Sequence, residues 1–364
     1  MYEKNDFNKK INRQTNLELL RIVLTMFVLT VHYNCNGVTG GVFSFVTLDS
    51  NKEILFLLES FACIGVNGFV LITGYFSYKN KKVTLTKVFI LLSWVVFYNC
   101  LAYLINVLFG KASIDIFSIL KNFVPVNWYV ILYCTLILIS PYLNLVIENL
   151  SRKNMKIFVC LCICVFSIWN TIWNTISTKM SLEASGISTV GISGDQAGYT
   201  IVNFIMLYII GAAINKWNYF DWKKRYDILG YSLCSFLIWF GIEKKITTWD
   251  YSNILVIVSA ILFFNFFRKW KVEQIKGIRY ISKYCFGVYL IHTKAIIQDD
   301  FWNLFNVQKN CSIGGIYMIA NWIICIMTTF IFCVLVDCVC HILMKPIIKI
   351  ENVLLKRLDF VINE

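Results

Sequence analysis

Arg21 and His32 are the residues of this sequence best suited to chemistry, because both are ionisable and both lie in its first apolar stretch, residues 17–35. On an α-helix the eleven steps between them amount to three full turns plus ~20°, so both side chains project from one face, about 16 Å apart along the axis. Three more residues lie on or near this stripe: Glu18, Thr25 and Val28. An ionisable side chain in a lipid-spanning helix is costly and usually faces protein or water, which makes the stripe a candidate site.

Each of these two residues has a functional and a structural interpretation. A guanidinium binds phosphate or carboxylate through paired hydrogen bonds, and Glu18 is placed three residues before Arg21 to orient it. Alternatively, Arg21 extends along its long stem to the lipid headgroups. The near-neutral pKa of an imidazole makes His32 a natural general base toward a hydroxyl group. It could equally be an interfacial histidine with its hydrogen bonds satisfied.

Other polar residues within or beside later apolar stretches are candidate contacts for a substrate or donor. Glu59 and Asn67 lie in the second stretch and could point into a cavity, and His292 lies in the ninth, where cavity lining and simple burial are both open. Lys79 follows the second stretch and suits a polyanionic donor, although the usual excess of lysine on cytoplasmic loops predicts it too. Trp128 opens the fourth stretch as an interfacial anchor or a substrate contact.

The composition indicates a polytopic membrane protein. Hydrophobic residues make up 58% of the chain and charged residues 15%, against about 25% charged in a typical soluble domain. The net charge of +13 comes from short basic clusters between apolar stretches, so membrane topology explains it better than nucleic-acid binding. Most of the fourteen cysteines lie inside apolar stretches as small hydrophobic residues, and we expect no metal site. Cys35 and Cys311 fall in predicted outer loops and could pair.

We predict an all-α fold of about ten transmembrane helices, because about 20 apolar residues cross the hydrocarbon core of a bilayer. The predicted spans are residues 17–35, 54–76, 84–109, 128–147, 157–176, 199–216, 227–243, 251–267, 281–298 and 314–340. With the N-terminus in the cytoplasm, the inner segments contain 25 Lys and Arg residues and the outer segments 7. This bias predicts that both termini are cytoplasmic.

The remaining segments follow from this topology. Residues 1–16 are predicted as a cytoplasmic N-terminal segment and residues 17–344 as the transmembrane domain. Residues 345–364 alternate apolar and charged side chains, which predicts an amphipathic cytoplasmic tail on the inner leaflet. Segment 113–125 is predicted as a short interfacial helix, and loop 177–198 as irregular and exposed.

Glycines and short motifs add to this interpretation. Gly65, Gly68 and Gly74 in the second span would let neighbouring helices approach closely. Two longer motifs stand out beside the Arg21 and His32 pair. They are Phe69-Val-Leu-Ile-Thr-Gly-Tyr75 and Phe286-Gly-Val-Tyr-Leu-Ile-His292.

In these motifs, and in their order over residues 15–345, the chain resembles membrane-bound acyltransferase family 3, particularly members that acylate bacterial surface polysaccharides. The family has an arginine, ten residues and a histidine on its first span. Its second-span motif usually has serine where Thr73 keeps the hydroxyl, and this match adds Thr73 and Tyr75 to the candidate contacts. Many members carry a basic pattern in the first inner loop, where this chain has only scattered lysines.

The resemblance implies an O-acyltransferase, expected to be an O-acetyltransferase, that takes its acyl group from cytoplasmic acyl-CoA. The implied acceptor is a hydroxyl of a surface polysaccharide or of its lipid-linked precursor. His32 would act as base or briefly carry the acyl group, and Arg21 would hold the charged part of the donor or stabilise developing negative charge. The protein is then expected in the bacterial cytoplasmic membrane, with acetyl-CoA as substrate, no permanently bound cofactor, and polysaccharide-assembly proteins as candidate partners.

Two other classes of function remain open from the sequence. A transporter or flippase for a lipid-linked sugar or an anionic solute would use the intramembrane Arg21, Glu18 and His32 as a permeation path. A membrane scaffold in a polysaccharide-assembly complex would need neither Arg21 nor His32. Consumption of acyl-CoA distinguishes the first interpretation from both.

Overall fold

Helices make up nearly all the regular structure in this computed structural model, which describes residues 14–36, 40–181, 196–244, 246 and 249–362. Most of the predicted N-terminal segment, and most of the loop predicted at 177–198, lie outside the described residues. Two short strands, β1 (Lys82–Val83) and β2 (Phe360–Val361), pair antiparallel.

Fifteen α-helices follow one another along the described residues. They are α1 (Thr15–Cys35), α2 (Asp49–Ala62), α3 (Gly65–Ser77), α4 (Leu85–Leu108), α5 (Ile116–Asn122), α6 (Trp128–Asn149), α7 (Arg152–Ile163), α8 (Trp169–Met180), α9 (Ile201–Trp217), α10 (Lys224–Ile242), α11 (Ile254–Lys269), α12 (Lys276–Ile281), α13 (Cys285–His292), α14 (Val307–Ile313) and α15 (Gly315–Leu355). The short helix predicted within 113–125 is confirmed as α5.

Six helical segments in the described part of the chain are long and apolar enough to cross a membrane. They are Thr15–Cys35, Asp49–Ser77, Leu85–Leu108, Trp128–Asn149, Arg152–Ser177 and Gly315–Leu358. They correspond to the first five predicted spans and the tenth. The other four are shorter, less apolar or broken, as with the 17-residue α9 and the 16-residue α11. Ten spans and the cytoplasmic placement of both termini therefore stay predictions.

The ninth predicted span is a broken helix. After α12 the chain forms a 3₁₀ turn at Ser282–Tyr284, then α13, and then a π-helical segment at Ile296–Phe301. Irregular backbone at membrane depth is tolerated where it is buried in protein or lines a cavity. The 3₁₀ turn and the helices on either side of it pack against α1, so this first break lies in the interior of the bundle.

The helix α1 is central to the bundle. Its residues Leu20 and Leu24 belong to one cluster of buried apolar side chains, which is built largely around α3, α9 and α11. Leu29 and Tyr33 belong to a second cluster, which includes residues of α4, α13 and α15. Because apolar partners cover both sides of α1, its polar stripe is held inside the protein.

Glycines allow the closest helix packing, as predicted. A Cβ at Gly74 of α3 would lie 2.1 Å from the backbone oxygen of Tyr208, and one at Gly211 of α9 would lie 2.3 Å from that of Leu71. The two helices therefore touch backbone to backbone. Gly68 likewise makes room for the side chain of Leu24 on α1, 2.6 Å from where its Cβ would be.

The tail folds back onto the loop before α4. The helix α15 is unbroken to Leu355, and β2 then pairs with β1. The carboxylate of Asp359 lies 3.2 Å from Lys82 Nζ and accepts a 2.9 Å hydrogen bond from the Thr86 backbone N–H. Burial raises the pKa of Asp359, but these bonds lower it by more, and it lies below its ordinary value. The amphipathic tail on the inner leaflet stays a prediction.

Candidate functional site

The two histidines singled out in the sequence are brought together. Nδ1 of His32 lies 2.8 Å from Nε2 of His292, a hydrogen-bond distance, and the two rings are 4.8 Å apart between centroids. Nδ1 of His292 lies 2.7 Å from the backbone oxygen of Val288, one turn earlier on α13. His292 is fully buried, whereas His32 is only partly buried. His32 is therefore the more accessible member of the pair.

Arg21 lies about 16 Å from His32 along α1 and is held by an acidic neighbour. Its Nη1 is 3.7 Å from Oε2 of Glu18, and the Arg21 side chain is 32% exposed. Glu18 is buried and accepts a 2.6 Å hydrogen bond from the Ser282 hydroxyl at the break between α12 and α13. Glu18 thus links the guanidinium to the broken helix.

A cavity of about 330 Å³ opens beside Arg21. Three cationic side chains line it, each from a different part of the chain: Arg21 on α1, Lys87 on α4 and Lys283 in the 3₁₀ turn. Thr25 and Val28 continue the Arg21 stripe along the wall. The stripe recognised in the sequence therefore faces a cavity that can hold an anion.

Aromatic residues line the part of this cavity nearest the histidines. Tyr129 and Tyr289 are both in the lining, with 5.3 Å between their ring centroids. The Tyr289 ring lies 5.9 Å from the ring of His292, and its hydroxyl donates to Asn127 Oδ1 at 3.1 Å. Val28, also in the lining, precedes His32 by one helical turn, about 6 Å. The lining thus extends from the cations to within one turn of the histidine pair.

The two candidates from the second-span motif, Thr73 and Tyr75, lie in different surroundings. Thr73 lines the cavity and donates its hydroxyl hydrogen to the backbone oxygen of Phe69 at 2.9 Å. Tyr75, two residues later, instead packs against Phe264 on α11, with ring centroids 5.4 Å apart. The difference follows from helix geometry, since two steps of about 100° rotate a side chain to the other side of the helix.

Lys79, expected to contact a polyanionic donor, is exposed and lies beside Tyr78, 5.5 Å from its ring centroid. It is not among the residues that line the Arg21 cavity. The cation that this part of the chain supplies to the cavity is therefore Lys87, at the start of α4, and not Lys79.

The other three candidates lie at the His32 end of the bundle, outside the lining of the Arg21 cavity. Glu59 is buried and accepts a 2.8 Å hydrogen bond from Asn34, two residues after His32. Asn67 is buried and donates to the backbone oxygen of Tyr251 at 2.9 Å. Trp128 packs edge-on against Tyr199, with 4.5 Å between ring centroids. Their contacts hold this end of the bundle together.

The cysteines near this end do not pair in the structure. Cys35 and Cys311 both have free thiols, and Cys311 is buried with its sulfur 3.4 Å from the Tyr33 hydroxyl.

Sequence reasoning missed several residues of the site. In the sequence, Lys87 and Lys283 contribute only to the charge bias that predicts topology, although both lie inside predicted spans, at 84–109 and 281–298. A lysine two or three residues inside a predicted span is unusual, and this signal could have identified both as candidate site residues. Tyr133, which also lines the cavity, lies one turn after Tyr129 on α6 and had no distinguishing pattern.

The arrangement suits transfer of a group from an anionic carrier. Its three cations can hold phosphates, tyrosines share the lining with them, and Val28 of the same lining lies one helical turn before His32. Among curated proteins and solved structures, none matches this chain. A family model, that of an acyltransferase domain, matches residues 14–338. Since this match covers most of its length, the chain belongs to the acyltransferase 3 family of membrane proteins.

Proposed function

We propose that this protein transfers an acetyl group from acetyl-CoA to a hydroxyl of a bacterial cell-surface polysaccharide or of its lipid-linked precursor. The observation that supports it best is the cavity with three cations that ends one helical turn from His32. Coenzyme A is a polyphosphate with a long arm that carries the thioester, and the three cations of the lining suit its phosphates.

In this proposal the cationic end binds the donor. Arg21, Lys87 and Lys283 contact its phosphates, and Glu18 keeps the guanidinium pointed toward them. The arm lies past Thr73 and the tyrosines, so that the thioester approaches His32. Binding the donor in one fixed orientation lowers the entropic part of the barrier to transfer.

His32 then acts as general base. Its imidazole takes the proton from the acceptor hydroxyl while the hydroxyl oxygen attacks the thioester carbonyl carbon. The carbon–sulfur bond breaks, and the proton on His32 passes to the departing thiolate to give the free thiol of coenzyme A. The products are an acetyl ester on the glycan and coenzyme A, and His32 returns to its neutral form.

The test compares two of the three histidines of this chain. A deletion strain is complemented with the wild-type protein, with His32→Ala, or with the matched control His341→Ala, and acetate released from envelope glycans by mild alkali is measured. We expect His32→Ala to lower acetylation by roughly 10²-fold or more and His341→Ala to have no effect.

A second measurement separates this function from transport or scaffolding. Purified protein in vesicles is given radiolabelled acetyl-CoA and envelope glycan from the deletion strain. Label should appear in the glycan with wild-type protein and not with His32→Ala. Glycan export without use of acetyl-CoA, or normal acetylation by His32→Ala, would overturn the proposal.

A further inference from the structure

His292 is the one residue of the histidine pair that cannot touch a substrate. Its exposed fraction is 0%, and its hydrogen-bond partners in the described part of the chain are Val288 and His32. His292 can therefore act on the reaction only through its neighbours, and His32 is the neighbour proposed to react.

The direction of the two hydrogen bonds follows from simple chemistry. The Val288 carbonyl can only accept, so Nδ1 of His292 carries a hydrogen and donates it. A fully buried imidazolium whose partners are a carbonyl and another imidazole would be costly, so His292 is neutral and its Nε2 has a lone pair. That lone pair accepts a hydrogen from Nδ1 of His32.

This chain of bonds determines which nitrogen of His32 is the base. A neutral imidazole carries one hydrogen, and here it lies on Nδ1. Nε2 of His32 is left with the lone pair that can take a proton from a hydroxyl. An imidazole free in water prefers the opposite tautomer, with the hydrogen on Nε2, and that form would present a donor where the reaction needs an acceptor.

We propose that His292 is a positioning residue that holds His32 in the Nδ1–H tautomer, with Val288 as the fixed acceptor at the end of the relay. The role of this tautomer in the reaction rests on the proposed function, but the tautomer itself does not. Val288 and His292 lie one turn apart on α13, so the relay is built into a single short helix.

Nitrogen-15 NMR tests the tautomer directly, because the chain has only three histidines. Protein labelled at both ring nitrogens of histidine is studied in lipid, and His341→Gln and His292→Gln assign the signals. We expect Nδ1 of His32 to resonate as a protonated nitrogen and Nε2 as an unprotonated one. In His292→Leu the His32 signals should shift toward the Nε2–H form.

The rates of acetyl transfer in two His292 variants test whether the tautomer of His32 matters for the reaction. Leucine at position 292 offers no acceptor, so we expect the transfer rate to fall by roughly 10²-fold with the KM for acetyl-CoA nearly unchanged. The amide of His292→Gln can both accept from His32 and donate to Val288, so this variant should keep the rate within about tenfold of wild type.

Two results would overturn the proposal. One is an Nε2–H tautomer of His32 in the wild-type protein. The other is an equal loss of rate in His292→Gln and His292→Leu when both are folded and bind acetyl-CoA, since a purely packing role predicts it. If wild-type protein shows the expected tautomer but transfers no acetyl group, the proposed function fails and the relay stands.

Discussion

At the scale of single residues, the site depends on how each charged or polar group is held and not only on its presence. Arg21 is kept in place by Glu18, which is in turn held by the Ser282 hydroxyl. A planar guanidinium binds a phosphate through two parallel hydrogen bonds, whereas an ammonium binds it as a point charge. The identity of the cation at position 21 should therefore matter beyond its charge.

Arg21→Lys tests this point. The charge is kept but the paired hydrogen bonds to phosphate are lost, so we expect the KM for acetyl-CoA to rise roughly tenfold while kcat changes little. Initial rates of acetyl transfer at varied acetyl-CoA give both constants. A fall in kcat at unchanged KM would instead place Arg21 at the reacting thioester.

At the scale of helices, the cavity depends on close packing behind its wall. The helix α3 carries Thr73 into the lining, and its other side touches α9 through Gly74 and Gly211. Any side chain at these glycines must push the two backbones apart. The position of α3, and with it the shape of the cavity, therefore depends on the absence of a Cβ at these two glycines.

Gly211→Ala should destabilise the fold. The added Cβ would lie 2.3 Å from the backbone oxygen of Leu71, and overpacking of this kind typically costs about 1–3 kcal/mol. We expect a lower midpoint of thermal unfolding in detergent. Gly277→Ala is the matched control, because no heavy atom lies within 4 Å of its Cβ position, and it should unfold at the wild-type temperature.

At the scale of the whole molecule, the proposed donor site forms only when distant parts of the chain come together. Its three cations come from α1, from the start of α4 and from the broken helix around α13. The tail contributes indirectly, because Asp359 binds the Thr86 backbone N–H next to Lys87. No one of these segments supplies all three cations.

Lys87→Gln and Lys283→Gln test how much each lysine contributes to binding of the donor. Each removes one phosphate contact, so we expect the KM for acetyl-CoA to rise by about 3- to 30-fold with little change in kcat. Lys79→Gln is the control, since this exposed lysine lies outside the lining. Equal effects of all three changes would show that only the general positive charge of this side of the protein attracts the donor.

The sequence by itself determined the class of protein, the stripe of Arg21, Thr25 and Val28, and the glycines that allow close packing. These features depend on composition and on helical periodicity, which are local properties of the chain. The family resemblance is likewise confirmed by the match over residues 14–338.

Only the tertiary structure decided which distant residues join that stripe. It brought His292 against His32 and placed Lys87 and Lys283, but not Lys79, beside Arg21. It also turned Tyr75 away from the cavity that Thr73 lines. Such choices depend on how each helix is rotated and where a helix breaks, and both are set by packing between segments far apart in the chain.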